Sequence, residues 1–153
     1  MQFVTRILAD WMLAPIGLLA VYMLWCKVKS ANRYDVYARV FMAGITSYLL
    51  AKIAAQLWQP SGLRPFEILG TQAGASYLNN PGFPSDHALF AAFLTLAVWY
   101  ATRSKIATGA MVAMTLLLCV GRVLALVHTP LDVAGGIVIA LLGGVWYVAR
   151  AKK

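Results

Sequence analysis

Charge is what this sequence has least of. Only 12% of its 153 residues are charged, while 61% are hydrophobic. A soluble domain carries roughly 25% charged residues, so the chain has about half the polar surface a globule of this size requires. That excludes a soluble enzyme and a disordered tail. Acids are scarcest: Asp10, Asp35, Glu67, Asp86 and Asp132 are the whole supply. Cysteine is also rare. Cys26 and Cys119 fall inside apolar runs at different depths, which excludes a disulfide scaffold. Neither has a metal-ligand neighbour, and both are expected to be small buried apolar residues. Internal repeats and low-complexity tracts are missing. What remains is an all-α polytopic membrane protein, and the length suits a single domain over residues 1–153. A net charge of +8 would point to nucleic acid in a soluble chain. Here it reads as membrane orientation, and no nucleic-acid partner is expected.

A spanning helix needs about 20 mostly apolar residues. Five stretches qualify: Trp11 to Cys26, Val40 to Trp58, Ser85 to Tyr100, Ile106 to Val127, and Leu131 to Ala149. An amphipathic piece, Gln2 to Asp10, precedes the first, with Phe3, Ile7 and Trp11 on one face; it either extends that span or lies on the outer surface. The segment Gln59 to Pro84 is long and rich in Gly, Pro, Asn and Ser. A loop of that length in a compact protein is usually functional.

The basic residues set the topology. Lys27, Lys29, Arg33 and Arg39 follow the first span, Arg103 and Lys105 sit between the third and fourth, and Arg150, Lys152 and Lys153 form the tail. These nine of thirteen alternate correctly to share one side, which the positive-inside rule makes cytoplasmic. The long loop is then extracytoplasmic. Tryptophan agrees: Trp11 and Trp58 sit at outer span ends, and Trp25, Trp99 and Trp146 at inner ends, as in an aromatic belt. The N-terminus has only Arg6 as a basic region, Pro15 within the apolar run and no small-residue cleavage site, and is read as retained.

The remaining polar residues gather at the outer face: Lys52, Arg64, Ser85, Asp86, His87, Arg122, His128 and Asp132. Any one of them reads as an interfacial or snorkelling side chain. The set together does not, because ionisable residues beside spans are costly and usually functional. Cations with imidazoles suit an anion, phosphate first. Pro84-Ser85-Asp86-His87 reads as a helix start with Ser85 or Asp86 as cap, and Thr129-Pro130 as another. Their free N–H groups add to a phosphate site. His128 and Asp132, four apart near a helix start, can face each other, so the carboxylate orients a nucleophilic or basic imidazole. His87 is then free to protonate a leaving oxygen. Asp10 and Asp35 are placed outside this cluster, which leaves fewer carboxylates than a two-metal site normally uses. No metal and no cofactor are expected.

These residues resemble the type 2 phosphatidic acid phosphatase superfamily of membrane lipid phosphatases. Its three motifs are a Lys followed by Arg-Pro, then Pro-Ser-Gly-His, then Arg, five residues, His, three residues and Asp. Here they correspond to Lys52 with Arg64-Pro65, to Pro84-Ser85-Asp86-His87, and to Arg122, His128 and Asp132, the last continuing to Gly135-Gly136. The resemblance covers Lys52 to Gly136. It implies that His128 forms a phosphohistidine, Asp132 orients it, and His87 is the general acid. It further implies that Lys52, Arg64, Ser85 and Arg122 hold phosphate oxygens, with Asp86 contributing its backbone N–H.

Three departures stand out. The gap from Lys52 to Arg64 is longer than usual. Asp86 replaces glycine, and with Arg64-Pro65-Phe66 it resembles the bacterial undecaprenyl-diphosphate phosphatase branch; an acid there either repels phosphate or holds a neighbouring cation. The family usually has six spans, one more than are counted here. The implied substrate is a lipid phosphate or diphosphate at the outer face of a bacterial plasma membrane, entering beside Trp58, Phe66, Tyr77 and Phe83. Undecaprenyl diphosphate comes first, with phosphatidylglycerophosphate or phosphatidate as alternatives. An anion channel would need polar residues along several spans, and only Lys52 lies well inside one. A non-catalytic lipid-binding protein would not need the full catalytic set. Oligomeric state is not readable.

Overall fold

A computed structural model describes residues 2–78, 80 and 82–148. The basic tail residues Arg150, Lys152 and Lys153, and the end of the fifth expected span at Ala149, lie outside the described residues. Among the described residues the regular structure is all helical. The chain opens with α1 (Gln2–Arg6), a π turn (Ile7–Trp11) and α2 (Leu13–Lys27). A short 3-10 turn leads into α3 (Arg33–Leu57), and α4 (Pro65–Ile68) lies in the long loop. Then come α5 (Asp86–Thr102), α6 (Lys105–Leu124), α7 (Pro130–Gly143) and α8 (Val145–Val148).

Four stretches are long and apolar enough to cross a membrane: Phe3–Lys27, Ser30–Leu57, Lys105–Leu124 and Pro130–Val148. The helix at the remaining expected span, α5, has 17 residues, at the lower end of the spanning range of roughly 17–25. The N-terminal piece does not separate as a surface helix. It runs on into α2 through the π turn, where the Met12 N–H reaches back to the Ile7 carbonyl (3.2 Å). Pro15 lacks an N–H to give the Trp11 carbonyl, and the helical register changes just before it.

The core sits around α5. Ala88, Ala91 and Val98 of α5 pack with Ile16, Ala20 and Met23 of α2, Met111 and Leu118 of α6, and Val133 of α7. Where backbones come closest the residue is glycine, as at Gly121, Gly136 and Gly143. At the α3–α7 crossing, Gly143 lies against Ser47 and the Ala43 carbonyl. Large apolar side chains such as Leu18, Trp25, Phe41, Ile53, Leu116 and Leu142 point outward instead, as lipid-facing surface does. Cys119 is buried as expected, but Cys26 is exposed on this outer surface; both are free.

The two ends differ in chemistry. At one end α5 stops at Arg103, in the left-handed region (φ 53°), and Ser104 caps α6 by accepting from the Ala107 N–H. There Arg39 pairs with Asp35 and donates to the Trp146 carbonyl, and Tyr100 stacks on Tyr147. Lys27, Arg33 and Lys105 belong to the same end. The other end carries the starts of α5 and α7, the end of α6 and the long loop.

Candidate active site

The start of α7 is built by its own sequence. Thr129 Oγ1 accepts from the Asp132 N–H (3.2 Å), and Asp132 Oδ2 accepts from the Thr129 N–H (2.7 Å). With Pro130 at the first helical position, this is a reciprocal cap. It fixes Asp132 beside His128: Oδ2 lies 3.7 Å from His128 Nδ1. That is beyond a hydrogen bond, so the carboxylate touches the imidazole electrostatically while its short bond goes to the backbone. His128 Nδ1 is buried without a hydrogen-bond partner. Burial pushes the His128 imidazole below its ordinary range, Arg122 and Arg64 push the same way, and Asp132 opposes them. The result is a neutral imidazole near pH 7, the form a nucleophile requires.

The start of α5 is pressed against α7. The Ser85 N–H donates to the Asp132 carbonyl (2.9 Å). The close approach depends on Gly136: a Cβ there would lie 2.6 Å from the Ser85 carbonyl oxygen and 3.0 Å from the Leu89 nitrogen. Gly135 leaves room for the Phe83 ring in the same way. Gln59 holds this entry, donating through Nε2 to the Phe83 carbonyl (3.0 Å), and the Phe83–Pro84 peptide is cis. Ser85 is the N-cap residue, yet its hydroxyl makes no capping bond and is buried without a partner. Two residues along, His87 has Arg122, Asp10 and His128 among its electrostatic neighbours.

Arg122 is 1% exposed, the largest fully buried side chain described. Its Nη1 donates to Asp10 Oδ1 (3.0 Å) and to the Ser76 carbonyl (2.8 Å), while Nε has no partner. Asp10, placed outside the cluster on sequence grounds, is therefore part of it. The reason is tertiary: the N-terminal helix crosses α6 where Gly121 allows backbone-to-backbone packing against Leu8 and Ala9. Its signal in the sequence was an acid at the end of an apolar span, which is itself costly.

Arg64 is buried, and its partners are mostly loop carbonyls. Nη1 donates to the Val127 carbonyl (2.6 Å), and Nη2 to the Leu78 and Asn80 carbonyls (both 3.1 Å) and to Asn80 Oδ1 (3.0 Å). The guanidinium also lies over the Tyr77 ring, 5.3 Å from its centre. The expected phosphate ligand thus has a positioning role that its place in the motif did not reveal. It ties the long loop to the peptide immediately before His128. The loop has a small core of its own, Phe66 and Ala75 against Ala9, Ala125 and Val127.

Lys52 and Asp86 stand at the rim. Lys52 Nζ is 4.0 Å from Asp86 Oδ1 and lies over the Tyr48 ring. Of the two roles open to an acid at this position, the geometry favours holding a neighbouring cation. Both side chains are 44% exposed, so the pair adds little stability. The expected aromatic rim is only partly exposed: Trp58 meets Phe83 edge-on and Phe66 packs on Tyr77, with Phe66 and Phe83 buried.

Ser85, His87, Arg122, His128 and Asp132 thus converge at the junction of α5, α6 and α7, with Lys52, Asp86 and Arg64 around them. Three buried polar atoms there, Ser85 Oγ, Arg122 Nε and His128 Nδ1, lack partners. Buried polar groups are nearly always paired; His128 Nδ1 faces Asp132, which leaves Ser85 Oγ and Arg122 Nε as the two buried polar atoms open to a ligand with hydrogen-bonding oxygens. The PAP2 superfamily profile matches residues 35–153. No curated protein and no solved structure matches the chain. The matched stretch takes in α3 to α8 and, apart from Asp10, every residue of the cluster, and on that match the chain belongs to the PAP2 superfamily.

Proposed function

We propose that this chain is a metal-independent membrane lipid phosphatase that converts undecaprenyl diphosphate to undecaprenyl phosphate and inorganic phosphate at the extracytoplasmic face. Membership of a superfamily of phosphatases supports hydrolysis of phosphate esters. The observation that carries the reading further is the two unpartnered buried polar atoms, Ser85 Oγ and Arg122 Nε, on residues next to the His128–Asp132 pair. In the proposed reaction the neutral His128 attacks the terminal phosphorus, and the bond from that phosphorus to the bridging oxygen breaks. His87 gives its proton to the departing lipid monophosphate. Water then attacks the phosphohistidine, His87 takes back a proton, and inorganic phosphate leaves. Arg122, Ser85 and the N–H groups opening α5 stabilise the charge on the transferring group, and Lys52 meets the leaving phosphate at the rim.

A long-chain substrate is supported by an apolar groove of about 580 Å³ between α3 and α5, lined by Tyr37, Phe41, Ile45, Tyr48, Leu89 and Phe93 among others. Its upper end, at Tyr48 and Leu89, lies directly below Lys52 and Asp86. The extracytoplasmic assignment is supported by the basic residues at the opposite end of the bundle.

Purified protein in detergent, with EDTA present, is expected to release phosphate from a prenyl diphosphate faster than from phosphatidate or phosphatidylglycerophosphate. His128→Ala is expected to abolish both turnover and an acid-labile phosphoenzyme. Loss of turnover on chelation would remove the metal-free mechanism. Preference for a glycerolipid would replace the substrate. A cysteine at Ser76 that labels only after cell lysis would reverse the sidedness.

A further inference from the structure

We propose that Asp10 is a positioning residue for phosphate binding: it fixes the guanidinium of Arg122 and latches the long loop over the site. The proposal rests on the phosphatase reading above. Asp10 lies outside the residues 35–153 that the superfamily profile covers, so nothing in the family motifs assigns it a role.

The contacts form a closed triangle. Asp10 Oδ1 accepts from Arg122 Nη1 (3.0 Å), Asp10 Oδ2 accepts from the Ser76 N–H (3.0 Å), and the Ser76 carbonyl accepts from the same Arg122 Nη1 (2.8 Å). Each corner comes from a different part of the chain: the π turn of the N-terminal helix, α6 and the long loop. Arg6 Nε stands 3.9 Å from Asp10 Oδ2 but is mostly exposed and makes a weaker contact.

Geometry explains why the acid is on this turn. Gly121 immediately precedes Arg122, and a Cβ on it would lie 2.7 Å from both the Ala9 nitrogen and the Leu8 carbonyl carbon. The two backbones therefore touch, with Ala9 fully buried between them. This approach brings the next residue, Asp10, within reach of Arg122, just beyond Gly121. The π turn, a form often found at functional sites, is where the helix makes this approach.

Chemistry explains why it matters. Arg122 is a fully buried cation, and a buried cation without a counter-charge is strongly unfavourable. Asp10 supplies that charge while engaging Nη1 alone. Nε stays unpartnered, fixed in direction, and available to a phosphate oxygen. A guanidinium free to turn would lose that direction, and small misplacements in an active site are costly in rate.

The test is a cycle of Asp10→Ala and Asp10→Asn, each alone and combined with Arg122→Gln. It reads kcat and KM for a prenyl diphosphate in detergent, and inhibition by inorganic phosphate. Asp10→Ala is expected to lower kcat/KM about 100-fold and to weaken inhibition by inorganic phosphate. Asp10→Asn keeps an acceptor for Nη1 and is expected to lose about tenfold, which preserves the test if the alanine variant does not fold. In the Arg122→Gln background neither change is expected to reduce activity further. A purely structural Asp10 would lower the unfolding temperature and leave kcat, KM and phosphate inhibition of the folded fraction at wild-type values; that result overturns the proposal. So does an Asp10 effect of undiminished size in the Arg122→Gln background. Failure of the phosphatase reading looks different, because the wild-type protein itself would then release no phosphate.

Discussion

Gly136→Ala is the sharpest perturbation of the site that touches none of its chemistry. The added methyl would lie 2.6 Å from the Ser85 carbonyl oxygen, 3.0 Å from the Leu89 nitrogen and 3.3 Å from Ala88 Cβ. The first two are backbone atoms and cannot rotate away. Reaching ordinary contact, at about 3.4 Å from the Ser85 oxygen, requires α5 and α7 to part by about 0.8 Å. The Ser85 N–H to Asp132 carbonyl bond, now 2.9 Å, would lengthen past hydrogen-bond range. Overpacking of this kind costs roughly 1–3 kcal/mol. More important, it separates Ser85 and His87 on α5 from His128 and Asp132 around the start of α7. A misplacement near 1 Å costs about 100-fold in rate, so kcat should fall by one to two orders of magnitude while the protein still folds. Gly109→Ala is the control, because a Cβ there meets nothing within 4 Å. In a helix interior that change should be neutral or stabilising by about 0.5–1 kcal/mol. Phosphate release and thermal unfolding, measured on both variants, decide the matter. If Gly136→Ala matches Gly109→Ala in kcat, the α5–α7 contact does not set the catalytic geometry.

Two further predictions follow from the same site. Because burial lowers the His128 pKa below the ordinary 6.5, the acid limb of the kcat/KM profile should fall below pH 6.5, and Asp132→Asn, which removes a group that raises that pKa, should move it lower still. The native state then binds fewer protons than the unfolded chain just below pH 6.5, so stability from this group is complete above that pH and declines as pH falls toward the folded value; an acid limb above pH 6.5 would contradict the proposed neutral nucleophile. Arg64→Ala should destabilise by on the order of 3 kcal/mol, because it strands the Val127, Leu78 and Asn80 carbonyls. Proteolysis in the long loop should accelerate, and Arg64→Lys should restore only part of the loss because a single ammonium cannot reproduce the fork; an unchanged unfolding temperature would show that Arg64 does not anchor the loop.

Local rules were enough to read several parts of the site. The cap of α7 is written in Thr129-Pro130-Leu131-Asp132, where a side chain and the backbone three residues away satisfy each other with no help from elsewhere. Helical spacing likewise places Asp132 near His128. The loop-anchoring bonds of Arg64 were not legible because a motif names the residue but not the acceptors of its N–H groups, and those come from Val127, Leu78 and Asn80. Asp10 was missed for a related reason. Its partner is Arg122, separated by most of the bundle in sequence, and they meet only because Gly121 lets two backbones touch.

The sequence by itself determined that the chain is all-helical with apolar helices able to cross a membrane, where α5 and α7 start, and which polar residues had to be accounted for. Those outcomes follow from short-range physics: apolar run length, capping and the cost of charge in lipid. Only the tertiary structure decided which acceptors each of these cations meets. Arg122 keeps an unpartnered Nε, whereas Arg64 is bound to the loop and Lys52 to Asp86. That division depends on which backbones approach closely enough to supply acceptors, and the small residues Gly121, Gly135 and Gly136 permit those approaches without showing in advance what will fill them.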